Sequence, residues 1–155
     1  MLSLTFFTGA GISAEAGLST FRDNSDLSVD SSTEILATKK SWESVPERVL
    51  DYYNKRRQQV LSAEPTDAHH LIKQLETYYQ VNVITQNIDD LHERANSSHV
   101  THLHGEIMKA QCTGFSDHII DCDKDISIKC QSIYGFQLRP NVVFFDEPVL
   151  NISIA

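Results

Sequence analysis

Glycines at 9 and 11, amides and a carboxylate at 86–89, and imidazoles at 102 and 104 are the side chains here that could do chemistry. Gly9-Ala10-Gly11-Ile12-Ser13-Ala14 fits G-x-G-x-x-A directly after the apolar stretch "LSLTFF". Glycines there let backbone N–H groups approach a pyrophosphate, and a following helix start favours its negative charge. A tight strand-to-helix turn packed by glycines explains the same six residues equally well. A dehydrogenase would show a second strand ending in an acid about 20 residues on. That region reads "STFRDNSDLSVD" and lacks an apolar lead-in. Arg22 stands there instead, where its guanidinium could pair with a phosphate or simply with Asp23 or Asp26.

"TQNIDDLHERA" places Gln86, Asn87, Ile88 and Asp89 just past an alternating segment, at the strand edge where open α/β sheets bind ligands. Two amides and a carboxylate could orient a ribose, a water and a carboxamide; Asn87 or Asp89 could equally cap the next helix. "THLHGE" sets His102 and His104 two apart, on one face if the segment is a strand. His104, beside Gly105, suits a general base near neutral pH, and His102 suits a hydrogen-bonded structural histidine. An H-x-H metal pair is the rival, and no nearby third ligand recommends it. In "YYNKRR", Tyr53 and Arg56 share a helix face, where phenol and guanidinium could grip a carboxylate, or serve as one core aromatic and one solvated cation.

These residues need a scaffold. Leu2–Phe7 reads as a strand and Ile12–Ala16 as the start of a helix. Residues 24–44 are polar and weakly patterned, as in a loop or insert. "PERVLDYYNKRRQQVL" and "TDAHHLIKQLETYY" carry helical periodicity, the second opening on the cap-type Thr66 and Asp67. Val81–Thr85 is a strand leading to a helix near Asp89, "HVTHLHGEI" a strand ending at Gly105, and Val142–Phe145 a last apolar strand. Residues 106–140 show few clear periods. Alternating strands and helices predict an α/β domain with a mostly parallel, Rossmann-like sheet, and a small insert module around 106–140.

The 155 residues are one domain's worth, 41% hydrophobic and 22% charged. A formal charge of -8, from 13 basic and 21 acidic residues, argues against nucleic acid as a partner. No apolar run reaches membrane-span length, so a membrane is not expected as a partner either. The opening apolar stretch lacks a basic n-region and reads as a buried strand. Three cysteines without a disulfide framework point to a reducing cytoplasm.

Taken together, "TGAGISAEAGLSTFRD", "TQNIDDLHERA" and "HLHGE" resemble the successive signatures of the sirtuins, NAD-dependent protein lysine deacylases. The resemblance runs from Leu4 to about Glu147. It implies a fold of the deoxyhypusine-synthase-like NAD-binding type. It implies that Gly9, Ala10, Gly11 and Ser13 line the pyrophosphate of NAD, with Phe21 and Arg22 over the co-substrate. Gln86, Asn87, Ile88 and Asp89 would surround the nicotinamide ribose and carboxamide, Asn87 with a catalytic part, and His104 would be the base. In the family's reaction an acyl-lysine oxygen attacks the ribose as nicotinamide leaves. The base then takes a ribose hydroxyl proton, and the products are lysine, nicotinamide and O-acyl-ADP-ribose. The partners would be acylated lysine side chains of proteins. Tyr53 and Arg56 resemble the Tyr-x-x-Arg pair of the class that removes succinyl and malonyl groups. An inactive remnant that binds NAD or ADP-ribose, and protein mono-ADP-ribosylation, are the alternatives.

The chain departs from the family in four places. Cys112, Cys122 and Cys130 form no C-x-x-C pair. Tetrahedral zinc would need a fourth ligand such as His118 or an aspartate, so free thiols and no bound metal are expected. Ser28 stands where a tryptophan is frequent. Asp146 replaces a common glycine in the segment that normally pairs with the substrate peptide as a strand. Finally, family members continue with a G-T-S-type loop and a later asparagine, and nothing after Pro148 resembles these. The expectation is a sirtuin-type domain incomplete at its C-terminal side, through truncation or a frame shift, with an exposed sheet edge that favours self-association.

Overall fold

The computed structural model describes residues 2–19 and 35–149. Phe21, Arg22 and Ser28 lie outside the described residues. Strand β1 (Ser3–Thr8) runs into Gly9 and a 3-10 turn over Ala10–Ala16, closed by Gly17 in the left-handed region at φ 82°. Helix α1 (Lys39–Ser44) follows, then α2 (Pro46–Ser62), α3 (Asp67–Leu75), strand β2 (Gln80–Thr85) and the single-turn α4 (Leu91–Arg94). Strands β3 (Val100–His102), β4 (Gly105–Cys112), β5 (Ile119–Asp121) and β6 (Leu138–Val142) complete the order.

Two sheets result. The first is parallel, in the order β1-β2-β3, with Phe7 level with Ile84 and Thr85 with His102. All three strands therefore end together, and their following loops form one edge. This is the Rossmann-like arrangement, in which ligands bind beyond the carboxyl ends of the strands. The second sheet is antiparallel, in the order β5-β4-β6, with β4 central.

Alternation explains β2: Val81, Val83 and Thr85 are buried, and the two valines pack with Ile72 of α3. Helix α2 begins with Pro46 at its first turn, where the missing N–H costs nothing. Its buried face is Val49, Leu50, Tyr53, Arg57 and Val60. Val49, Tyr53 and Val60 join Ile107, Val142 and Phe144 in one core; Leu50 joins Ala110, Cys112, Ile126 and Leu138 in another. Arg57 is wholly buried yet useful, since its Nε donates to the Ile107 carbonyl at 2.9 Å and ties α2 to β4. Thr66 caps α3, its amide donating to His69 Nδ1 at 3.1 Å while its hydroxyl donates to the Ile12 carbonyl at 3.2 Å.

Several elements differ from the sequence expectation. The helix expected over 66–79 is regular only to Leu75, where turns take over. The weakly patterned segment before Pro46 contains α1, capped by the Thr38 side chain, which accepts the Ser41 amide at 3.1 Å. The last strand is Leu138–Val142 and not Val142–Phe145, which continues it as an irregular strap. Residues 106–140 hold most of a full antiparallel sheet. It was hidden because β4 shifts register between Glu106 and Ala110, and because β6 reads "LRPNV", polar in type though buried throughout.

Candidate functional site

A cavity of about 690 Å³ opens where the parallel strands end. Among the described residues, one side is the glycine loop (Ala10, Gly11, Ser13) with Leu18 and Ser19. The floor is Gln86, Asn87, Ile88, Asp89 and His104. The far side is the α2 face with Tyr53 and Arg56, and the strap Val142–Phe145 with Glu147. Gly9 lies behind this wall, and its carbonyl accepts Asn87 Nδ2 at 3.1 Å.

Register places the two loops side by side, and side chains then lock them. Asn87 Nδ2 also donates to Ser13 Oγ at 3.1 Å, and Ser13 Oγ donates to Asp89 Oδ2 at 2.9 Å. Asp89 Oδ1 accepts the Leu91 amide at 3.2 Å, so one carboxylate both takes up the first amide of α4 and holds the serine, although the N-cap residue is Asp90. Ser13, Asn87 and Asp89 are all buried, and no Asn or Asp at a mere solvent-exposed cap would need that. At Gly11 an added methyl would meet no described atom within 4 Å, leaving space for a close ligand over the backbone. That space, beside a chain of amide and hydroxyl groups, fits a pyrophosphate and ribose.

His102 and His104 act as a pair, though not as expected. Strand β3 ends at His102, so His104 lies beyond it. Each ring nevertheless reaches one of two consecutive carbonyls: His102 Nδ1 donates to Asn87 O at 2.8 Å, and His104 Nδ1 to Gln86 O at 2.9 Å. His104 is half-buried, and with its Nδ1 proton committed the lone pair of the neutral ring sits on Nε2. His102 Nε2 faces Glu93 Oε1 at 2.9 Å. Burial alone would discharge His102, but the hydrogen bond and charge of Glu93 override it and raise its pKa. The Glu93 behind His102 was not legible, because no spacing rule joins a one-turn helix to that strand end.

Beneath the glycine loop, His92 Nε2 bonds Thr8 Oγ1 at 3.0 Å, and its ring meets His69 edge to face at 4.6 Å. Burial pushes His92 down to about 4, with the His69 and His102 charges adding to the effect. Burial likewise lowers His69.

On the far side, Tyr53 is buried against Phe144, with ring centroids 5.9 Å apart. Burial raises the Tyr53 phenol well above its usual range, so it stays a neutral hydroxyl. Arg56 makes only long contacts of 3.5 Å, to Gln59 Oε1 and the Ser19 carbonyl, and no ion pair among the described residues. The nearby Glu147 is committed elsewhere, to Arg139. Among the described residues no three His, Cys, Asp or Glu side chains converge on a point that could hold a metal ion. Cys112, Cys122 and Cys130 are free thiols. In the loops of the second sheet the Phe115 ring meets Tyr134 at a tilt and Phe136 edge to face, at 4.7 and 5.6 Å between centroids.

The chain matches the Sir2 family over residues 9–154. It belongs to that family. A "NAD-dependent protein deacylase" of Helicobacter pylori is 42% identical over 149 residues, covering 96% of this chain and 65% of the relative. One of Bacteroides thetaiotaomicron is 42% identical over 162 residues, covering 100% and 69%. A Sir2 homolog solved in complex with NAD superposes with a TM-score of 0.85 at 35% identity, over 99% of this chain and 60% of that one. A Sir2 protein bound to a propionylated peptide gives 0.78 at 28% identity, covering 99% and 62%. This sirtuin chain thus spans about two-thirds of the length of the curated relatives it matches. Among its described residues no helix is long and apolar enough to cross a membrane.

Proposed function

We propose that the chain is a NAD-dependent protein lysine deacylase, acting on acylated lysine side chains of proteins and transferring the acyl group to ADP-ribose. The observation that carries this reading is the convergence of Ser13, Asn87, Asp89 and His104 on one cavity. Relatives named as NAD-dependent protein deacylases, and a Sir2 homolog solved with NAD, support it.

NAD, as co-substrate, supplies a ribose carbon that becomes electrophilic as nicotinamide leaves. The chain's own residues bind and orient it. Ala10, Gly11 and Ser13 would lie against the pyrophosphate, with Gly9 behind them, and Phe21 and Arg22, outside the described residues, are assigned to NAD by the sequence resemblance alone. Gln86, Asn87, Ile88 and Asp89 hold the ribose and carboxamide. His104 Nε2 takes a proton from a ribose hydroxyl, because its other nitrogen is already spent on the Gln86 carbonyl. The strap at 142–147 receives the peptide, and the module around 106–140 braces that strap through β6.

The acyl chain lies along Tyr53 toward Arg56. A half-buried guanidinium with no ion pair among the described residues, beside a neutral phenol, suits a terminal carboxylate, so succinyl and malonyl groups are substrates alongside acetyl. Three free thiols accord with work in a reducing cytoplasm.

The test is incubation with NAD and acetyl- or succinyl-lysine peptide, following O-acyl-ADP-ribose by mass spectrometry against His104→Tyr. Product absent above that control would end the deacylase reading, and NAD binding without product would leave a nucleotide-binding protein. Arg56→Met should abolish succinyl-lysine turnover and spare acetyl-lysine; equal loss of both would remove the proposed role of Arg56.

A further inference from the structure

The strap after β6 carries the one acidic side chain that departs from the family's glycine, and that side chain is already engaged. Asp146 Oδ1 accepts the Lys39 amide at 2.5 Å, and Oδ2 lies 3.4 Å from the Lys40 amide, both at the start of α1. These backbone contacts hold the Asp146 pKa below the usual carboxylate range, the Lys39 amide first. Directly beside them the Phe145 amide donates to the Ala37 carbonyl at 2.9 Å.

Three further strap donors are spent as well. Val143 donates to His104 O at 2.9 Å, Phe144 to Glu147 Oε2 at 3.1 Å, and Glu147 to Phe144 O at 2.9 Å. A peptide that adds as a strand needs main-chain donors as well as acceptors on the edge it joins. Val143, Phe144 and Glu147 are satisfied within the turn and at the strand end. The Phe145 amide is held by the segment before α1, and that segment is pinned by Asp146.

We propose that Asp146 is a positioning residue that latches the strap to the start of α1, keeps the Phe145 amide on Ala37, and so limits addition of an acylated peptide strand. The inference rests on the deacylase reading for its substrate and on this chain's own contacts for the latch. The peptide competes with an internal hydrogen bond, and loss of the carboxylate favours the peptide. Hydrogen bonds to charged groups are worth enough that losing one shifts such an opening equilibrium by about tenfold.

The experiment compares the full chain with Asp146→Ala, which removes the carboxyl without giving the backbone a glycine's freedom, and with Asp146→Asn, which keeps one acceptor. Hydrogen exchange at Lys39 and Phe145 should quicken about tenfold in the alanine variant and less in the asparagine variant. The KM for acetyl-lysine peptide should fall several-fold in the same order, and by more than kcat changes. Unchanged exchange at both amides overturns the latch. An equal or higher KM in Asp146→Ala, with turnover intact, overturns the limit on peptide addition and leaves the deacylase reading standing. Absence of peptide binding by all three proteins overturns that reading and, with it, the limit, while exchange still decides the latch.

Discussion

His102 Nδ1 lies 2.8 Å from the backbone carbonyl of Asn87, and because a carbonyl only accepts, that nitrogen must carry a proton. The other nitrogen faces a carboxylate, Glu93, at 2.9 Å. Below its raised pKa the ring donates on both sides as an imidazolium, wedged between a helix and the loop that carries Asn87. Its pKa is raised, and although burial alone would raise that of Glu93 too, the pairing with His102 outweighs burial, so Glu93 ends up depressed.

The signs give a pH window. A histidine raised by folding contributes fully below its ordinary value, near 6.5, and loses that contribution as pH rises through its folded pKa. A depressed glutamate contributes above its ordinary value and loses it as pH falls. The link is complete between these limits and weakens toward alkaline pH. Urea midpoints from neutral pH to pH 9 should decline in the wild type, and the decline should be smaller in Glu93→Gln, where the partner that raises His102 is gone. His102→Gln should flatten it and weaken NAD binding several-fold through a looser Asn87. A slope identical in all three proteins would show that the pair is not charged.

Gly105 and Gly17 make a contrast that separates backbone strain from crowding. Both adopt φ of 82°, where an L side chain costs about 1 kcal/mol. At Gly17 an added methyl meets no described atom within 4 Å, whereas at Gly105 it runs into the Asn141 carbonyl of β6. Gly17→Ala should cost about 1 kcal/mol, and Gly105→Ala more than about 2 kcal/mol because β4 and β6 must separate. Chemical denaturation of the two variants checks this; equal costs would mean that the sheet yields freely at Gly105.

How much of this was legible follows from which contacts are local. The glycine loop, the strand leading to Gln86 and the imidazole beside Gly105 each announce themselves within a few residues, and register alone brings them together. Tyr53 and Arg56 were readable as one helix face. The antiparallel sheet was not, because Arg139, Pro140 and Asn141 are polar or ring-locked types that only long-range pairing buries. Glu93 behind His102 and Arg139 beneath Glu147 were invisible for the same reason: each joins elements whose approach no sequence period encodes.

The buried pair His69 and His92 should make the glycine loop acid-sensitive. A histidine depressed by folding binds its proton first in the unfolded chain, so stability falls as pH drops from about 6.5 toward its folded value. For His92, pushed down to about 4, the loss is on the order of 3 kcal/mol at full extent. His92→Gln keeps a partner for Thr8 and cannot charge. Its unfolding free energy should therefore vary less than the wild type's between pH 6.5 and 4, and parallel curves would assign acid sensitivity to other groups.

Arg139 grips Glu147 through both nitrogens, at 2.8 and 2.9 Å, and lays its guanidinium 3.9 Å over the Phe144 ring. It also donates to the Val142 carbonyl at 2.9 Å, so one side chain fixes β6 and both ends of the strap. Burial favours a neutral Glu147, but the Arg139 hydrogen bonds override it and lower the pKa. Glu147→Gln leaves a guanidinium that is 8% exposed without its counter-charge, at a cost of about 3 kcal/mol. Arg139→Lys keeps the charge but loses the fork and the ring stacking, and should cost less. Because Phe144 and Glu147 line the cavity, both variants should raise the KM for acyl-lysine peptide more than they lower kcat. Unfolding curves rank the two costs and steady-state kinetics reads the split. If kcat fell with KM unchanged, the strap would be supporting the chemistry at His104 and not the seating of the peptide.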